Sequence, residues 1–127
     1  MIGYWIATTL IVLSLLSGGL TELAHQRDTV AGMVHLGYPV YFVTILGFWK
    51  VLGGIALLVP RFPRLKEWAY AGAFFDFTGA AASHVASGDP AWHVGVTLSL
   101  AALAIVSWAL RPQGRVLGVL FPAKQAA

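Results

Sequence analysis

The stretch Tyr38–Val59, YPVYFVTILGFWKVLGGIALLV, is an apolar run that contains a single charged residue, Lys50. About 20 apolar residues are enough for a helix to cross the hydrocarbon core of a bilayer. The run therefore predicts a transmembrane helix. A charge near the bilayer centre costs roughly 3 kcal/mol, so Lys50 needs an opposite charge, a polar cavity or a ligand. The next apolar run carries an acid, Asp76, which is the first candidate partner.

The composition agrees with a membrane protein. Of the 127 residues, 58% are hydrophobic and 10% are charged, whereas soluble domains carry about 25% charged residues. The length predicts one domain over residues 1–127. The absence of cysteine excludes disulfides, iron–sulfur clusters, thiolate zinc sites and thiol nucleophiles. The net charge of +3 is explained by basic residues at membrane edges, so no nucleic acid partner is predicted.

Four apolar segments of roughly transmembrane length follow one another along the chain. They cover about Gly3–Leu23, Pro39–Val59, Trp68–Ala86 and Pro90–Leu110. Lipid satisfies no backbone polar groups, so each segment is predicted to be a helix. The expected fold is all-α, a four-helix transmembrane bundle. The first segment lacks the basic residues of a signal peptide, so we expect it to be retained as a helix.

Proline and capping residues suggest where these helices begin. Pro39 is expected in the first turn of the second helix. Asp89 is expected to cap the fourth helix, with Pro90 at its first position. The connection between the first two helices is the longest. There, Asp28 and Thr29 are expected to cap a short helix on the membrane surface.

Lysine and arginine are distributed unequally between the two sides of the predicted bundle. One side carries only Arg27, and the other carries Arg61, Arg64, Lys66, Arg111, Arg115 and Lys124. Cytoplasmic loops carry an excess of these residues. Both termini are therefore predicted to be cytoplasmic.

Lys50 and Asp76 are predicted to lie at similar depth on neighbouring helices. Lys50 is about 15 Å from the surface marked by Pro60, and Asp76 is about 12 Å in from Trp68. We therefore expect the two side chains within ion-pair or one-water distance. Three interpretations remain open: a structural ion pair, a cavity that binds a ligand, or a neutral Asp76 that is merely hydrogen-bonded.

Further polar residues converge near the outer mouth of the predicted bundle. Glu22 and His25 end the first helix there, His84 lies two turns outward from Asp76, and His93 opens the fourth helix. The candidate ligand-binding residues are Glu22, His25, Lys50, Asp76 and His84, and the catalytic candidates are Lys50, Asp76 and His84. The cavity is expected between the first three helices, beneath Thr21–Tyr38.

The remaining histidines and the possible metal ligands give no second site. His93 is expected to be solvated and His35 to be inert. Haem would need two histidines at equal depth, and zinc or di-iron would need more convergent ligands than Glu22, His25 and His84 guarantee. Neither a metal nor haem is therefore predicted.

Several stretches resemble the DoxX-like family of small bacterial integral membrane proteins. They are HLGYP at 35–39, KVLGGIALLVP at 50–60, PRLKEWAYAGAFFDFTGAAASH at 63–84 and SGDP at 87–90. The resemblance covers nearly the whole chain and implies a four-helix bundle in the bacterial inner membrane. It places Lys50, Glu67, Asp76 and His84 within the family pattern. Glu67 is expected to form an interfacial ion pair with Lys66.

Functions in the family are mixed and include a thiosulfate:quinone oxidoreductase subunit and an oxidoreductase-associated membrane partner. Together with the polar site, this favours the hypothesis of a protein that binds a small hydrophobic or quinone-like molecule in a redox or detoxification system. A membrane oxidoreductase is an expected partner, and a homodimer is suggested by the small residues of the second and third helices. The alternatives are a non-catalytic assembly or chaperone protein and a cofactor-free membrane isomerase or cyclase.

Overall fold

The computed structural model describes residues 1–112, and these form an all-helical chain. Its described helices are α1 (Ile2–Leu23), α2 (Arg27–His35), α3 (Val40–Leu58), α4 (Pro63–Ala86) and α5 (Ala91–Ala109). The all-α prediction is confirmed. The four predicted segments correspond to α1, α3, α4 and α5, and α2 is the short helix of the long connection. Arg115 and Lys124, which contributed to the predicted orientation, lie outside the described residues.

Three of the helices within residues 1–112 are long and apolar enough to cross a membrane: α1, α3 and α5. Helix α4 has 24 residues and is long enough. Its composition is more polar because it carries Arg64, Lys66, Glu67 and Asp76. The membrane character of the chain is therefore supported by three helices, where the sequence predicts four.

Helices α1, α3, α4 and α5 pack as a bundle in which α1 contacts mainly α3, and α4 contacts mainly α5. Apolar residues of α1, α3, α4 and α5 form the core, among them Ile11, Leu57, Phe77 and Ala104. A buried polar contact crosses the same core. Ser107 Oγ lies 2.6 Å from Thr8 Oγ1 and 2.7 Å from the Tyr70 hydroxyl, so each hydroxyl has a partner.

Glycine brings α1 and α3 into close contact. A Cβ added at Gly47 would lie 2.8 Å from the carbonyl oxygen of Gly19, and one at Gly19 would lie 2.8 Å from Val51 Cγ2. One added at Gly54 would lie 2.8 Å from Leu16 Cδ2. Small residues at such positions allow helix backbones to approach closely. This contact fixes the two helices that carry Glu22 and Lys50.

Several predicted helix ends differ from the structure. Helix α4 begins at Pro63, not Trp68, because the residues between them continue the helix despite their charge. Pro39 and Pro90 occupy the N-cap positions of α3 and α5, outside the first turn, and both have extended backbone dihedral angles. The cap of α2 is Gln26, whose side chain accepts a hydrogen bond from the Thr29 backbone N–H. The predicted caps at Asp89 and at Asp28–Thr29 were therefore wrong.

The turn between α3 and α4 is tight. Arg61 and Phe62 are consecutive non-glycine residues with positive φ angles of 69° and 54°. Such conformations are uncommon for residues that have a Cβ. They reverse the chain within Pro60–Phe62, and α4 then starts at a proline, which suits the first helical turn.

Candidate functional site

Three charged side chains from three helices meet inside the bundle. Lys50 of α3 donates a hydrogen bond from Nζ to Glu22 Oε1 of α1 over 2.8 Å. The same Nζ lies 3.8 Å from Asp76 Oδ2 of α4. The structure thus places Lys50 and Asp76 within the distance that the sequence predicts. The closer partner of Lys50, however, is Glu22, which was expected at the outer mouth above Lys50.

The glycines of α1 make this arrangement possible. Gly18 lies directly beside the lysine ammonium, because a Cβ added there would lie 3.4 Å from Lys50 Nζ. A Cβ added at Gly19 would lie 3.0 Å from Lys50 Cβ. The lysine side chain therefore runs along the α1 backbone and reaches Glu22 at the end of the same helix.

Glu22 is buried, with 4% of the residue exposed. One carboxylate oxygen accepts from Lys50, and the second oxygen, Oε2, has no hydrogen-bond partner among the described residues. Buried polar atoms in proteins nearly always have a partner. Glu22 Oε2 is therefore a place where a proton, a water molecule or a ligand atom would complete the site.

A cavity of about 520 Å³ adjoins the charged residues. It extends from the α3–α4 turn to the level of Lys50 and Asp76, and apolar residues of α3 and α4 line most of its wall. Leu15 of α1 also contributes. Several lining side chains are exposed at the protein surface, among them Trp49 and Trp68. The cavity is thus apolar, open at its side, and charged at one end.

The position of this cavity differs from the expected one. The expected cavity lay between the first three helices beneath Thr21–Tyr38, whereas the described cavity lies between α3 and α4 on the side of the Arg61–Phe62 turn. The physical reason is the packing of the bundle. Helix α3 fits closely against α1 through Gly19 and Gly47, and it contacts α4 less extensively.

His84 belongs to a second polar cluster, separate from Lys50. Its Nδ1 lies 2.7 Å from Asp89 Oδ2, and His35 Nε2 lies 2.6 Å from Asp89 Oδ1. The His93 ring stacks on His84 with centroids 4.9 Å apart. Asp89 thereby joins α2 to the end of α4. The hydrogen bonds from His84 and then from His35 hold the pKa of Asp89 below its usual range.

This second cluster changes three sequence expectations. His35 was expected to be inert, and the structure adds a contact with Asp89, while its lack of a functional role stays a prediction. His93 was expected to be solvated, yet its ring packs between those of His84 and Trp92. Asp89 was interpreted as a helix cap, which hid its role as the shared carboxylate. Its position five residues after His84, across the α4–α5 turn, was the signal that could have identified it.

His25 also lies apart from the three charged residues. Its Nε2 lies 2.5 Å from Thr44 Oγ1, and the residue is exposed. His25 has a positive φ angle of 52°, so it ends the turn after α1 with its ring directed to the start of α3. Among the candidate ligand-binding residues, the structure therefore groups Glu22, Lys50 and Asp76, and it places His25 and His84 elsewhere.

On the opposite side of the protein, Lys66 is buried, although it was predicted among solvated basic residues. Lys66 Nζ donates hydrogen bonds to the carbonyl oxygens of Ala56, over 2.7 Å, and of Val59. It therefore satisfies carbonyl groups at the end of α3, which have no partner within the helix. Glu67 pairs with Arg111, so the expected pairing of Glu67 with Lys66 is replaced.

Residues 1–112 contain no group of three or more histidine or acidic side chains placed to hold a metal ion.

Comparison with known proteins identifies the family to which the chain belongs. The sequence model of the DoxX-like family matches residues 6–107, which include all three charged residues of the site. No curated protein and no solved structure matches the chain. The match covers most of the sequence, and the protein is therefore a member of the DoxX-like family.

Proposed function

We propose that the chain is a multi-pass protein of the bacterial inner membrane, with α1, α3, α4 and α5 as spans and both termini in the cytoplasm. Helix α4 is included because two of its charged residues, Lys66 and Asp76, turn inward, whereas Arg64 is exposed near the start of the helix. Lys66 is fully buried, and the Asp76 side chain is 17% exposed and faces Lys50. Such inward pairing is how charged residues are accommodated within membrane helices.

We further propose that the cavity between α3 and α4 binds a small hydrophobic or quinone-like molecule. The observation that carries this proposal is the 520 Å³ apolar cavity with Lys50 and Asp76 at one end. Ligand sites commonly have volumes of about 300–1,000 Å³, apolar walls and a few polar groups that orient the ligand. The apolar part of the molecule would contact residues such as Leu52 and Ile55, and its polar part would face the charged end.

The membership of the family supports a place in a redox or detoxification system, where a membrane oxidoreductase would be the partner. The cavity lies against the exposed side chains Trp49 and Trp68, which would be in lipid. A hydrophobic molecule dissolved in the bilayer would thus reach the site from the side.

The test is to fill the cavity by substitution and to compare ligand retention between the variant, a control variant and the parent. Gly53 lines the cavity, and a Cβ added there meets no atom within 4 Å, so Gly53→Phe would occupy the space. Gly95→Phe on α5 is the matched control, since Gly95 is equally open and lies outside the cavity. Native mass spectrometry of the purified chain should detect a co-purified molecule in the parent and in Gly95→Phe. Retention in Gly53→Phe equal to that in the parent would contradict the proposal.

A non-catalytic assembly role is the second candidate, and one observation favours it. Lys50 already has a hydrogen-bond partner in Glu22, so the charges could serve only to hold three helices together. In that case the purified parent should carry no small molecule. It should instead co-purify with a membrane protein partner.

A further inference from the structure

The charge balance at the end of the cavity narrows the kind of molecule that fits, and this inference rests on the proposed binding function. Two carboxylates, Glu22 and Asp76, face one ammonium, Lys50. The Lys50 ammonium acts on both carboxylates, and the Asp76 carboxylate also acts on Glu22. With every group ionised, the site would carry one excess negative charge.

The two carboxylates do not share Lys50 equally. Glu22 takes the hydrogen bond at 2.8 Å and lies outside the cavity wall, whereas Asp76 is at 3.8 Å and lines the cavity. A distance of 3.8 Å is too long for a hydrogen bond. The carboxylate left without a hydrogen bond from Lys50 is therefore the one that the cavity exposes to a ligand.

The single Lys50 ammonium can balance only one of the two carboxylates, and Asp76 lies against the apolar cavity. A carboxylate charge left unbalanced in apolar surroundings is strongly disfavoured, so it is held neutral by a proton or matched by a cation. The cavity wall suits a cation as well. Trp49 and Trp68 line it, and the faces of indole rings attract positively charged groups. Gly72 lies one helical turn from Asp76 and leaves open space beside it.

We propose that the cavity selects a hydrophobic monocation, with Asp76 as its counter-charge, and that the cation replaces a proton held by the site. On binding, the O–H bond of the Asp76 carboxylic acid breaks and its proton passes to water. The Asp76 carboxylate then pairs with the cation. Charge is thereby conserved at the site. Lys50 stays paired with Glu22 throughout and acts as a positioning residue for the two acids.

Tetraphenylphosphonium and tetraphenylborate are the probes, because they have nearly the same size and shape but opposite charge. The full-length chain in zwitterionic nanodiscs is titrated with each ion, and binding to empty nanodiscs is subtracted. At pH 8 the cation should bind at least about tenfold more tightly than the anion. Cation affinity should fall as the pH is lowered, and a pH indicator should report about one proton released per cation, as the proposed exchange requires.

Asp76→Asn should remove both the charge preference and the proton release. Asp28→Asn is the matched control, since Asp28 is an exposed acid on α2 and the same substitution there should change neither. If Asp76→Asn does not fold, the pH dependence and the proton release of the parent decide the matter. Cation binding without proton release would overturn the exchange.

The outcomes separate this inference from the binding proposal beneath it. If the anion or a neutral short-chain quinone binds as tightly as the cation, and Gly53→Phe blocks that binding, the cavity is a ligand site and the charge selection is wrong. If no probe binds the parent, or if every probe that binds it also binds Gly53→Phe equally well, the binding proposal itself fails.

Discussion

Gly47 of α3 faces the carbonyl oxygen of Gly19 on α1 so closely that an added Cβ would lie 2.8 Å from it. The neighbouring atom is backbone and cannot move aside by rotation of a side chain. Gly47→Ala should therefore separate α1 from α3 and lower stability by about 1–3 kcal/mol, as overpacking does. Unfolding in mixed detergent micelles measures the change. Gly79→Ala, whose Cβ meets no atom within 4 Å, should leave stability nearly unchanged.

The Glu22–Lys50 contact predicts a coupled response to substitution. Lys50→Met should leave the buried Glu22 carboxylate without its partner and cost about 3–5 kcal/mol. The double variant Lys50→Met with Glu22→Gln should lose less than Lys50→Met alone. Unfolding of the parent, the two single variants and the double variant gives the coupling energy. Strict additivity of the two single effects would show that the contact contributes nothing.

Substitution of Lys66 should lower the stability of the protein more than substitution of the exposed basic residues near the same turn. Lys66→Met removes the hydrogen bonds to the carbonyl oxygens of Ala56 and Val59 at the end of α3. The loss of stability should be about 1–3 kcal/mol, because buried carbonyl groups are left unsatisfied. Arg64→Met changes the same charge at an exposed position and should have little effect in the same unfolding assay. Equal effects of the two variants would contradict the capping role.

The contacts of Asp89 predict that the difference in stability between the parent and Asp89→Asn depends on pH. Its pKa in the folded protein is lowered by the hydrogen bonds from His84 and then from His35. An acid with a lowered pKa stabilises the fold above its unfolded pKa of about 3.9, and this contribution is lost as the pH falls through the folded value. Asp89→Asn should thus lower the melting temperature at pH 6, and the gap should close near pH 2. A gap that is constant over this range would refute the assignment.

The orientation can be tested directly because the chain contains no cysteine. Single cysteines at exposed Asp28 and at Ser87 should react with a membrane-impermeant thiol reagent added to intact spheroplasts. A cysteine at exposed Arg61 should react only in inverted vesicles. Labelling of Ser87 and Arg61 from the same side would show that α4 does not cross the membrane.

The apolar segments and the proximity of Lys50 and Asp76 could be predicted because both follow from spacing along helices. The start of α4 could not, since Lys66 interrupts the apolar pattern although it is buried. The pairing of Lys50 with Glu22 also escaped prediction. It depends on the close contact of Gly19 with Gly47, and hydropathy does not show which helix faces which.

The histidines illustrate the same limit at the candidate site. Depth along α4 suggested that His84 would lie above Lys50, but depth does not give the direction of a side chain around the helix. The α4–α5 turn brings Asp89 back against His84, and α2 brings His35 to the same carboxylate. Contacts made through turns and surface helices are thus the part of the site that periodic patterns leave undetermined.

The exposed tryptophans at the cavity rim have a consequence for how binding is measured. Trp49 is 64% exposed and Trp68 is 80% exposed, so the proposed entrance faces the hydrocarbon of the bilayer. The concentration that governs occupancy is then the mole fraction of the molecule in lipid. At a fixed total amount of ligand, adding empty vesicles should dilute it and empty the site, even though its affinity for the protein is unchanged.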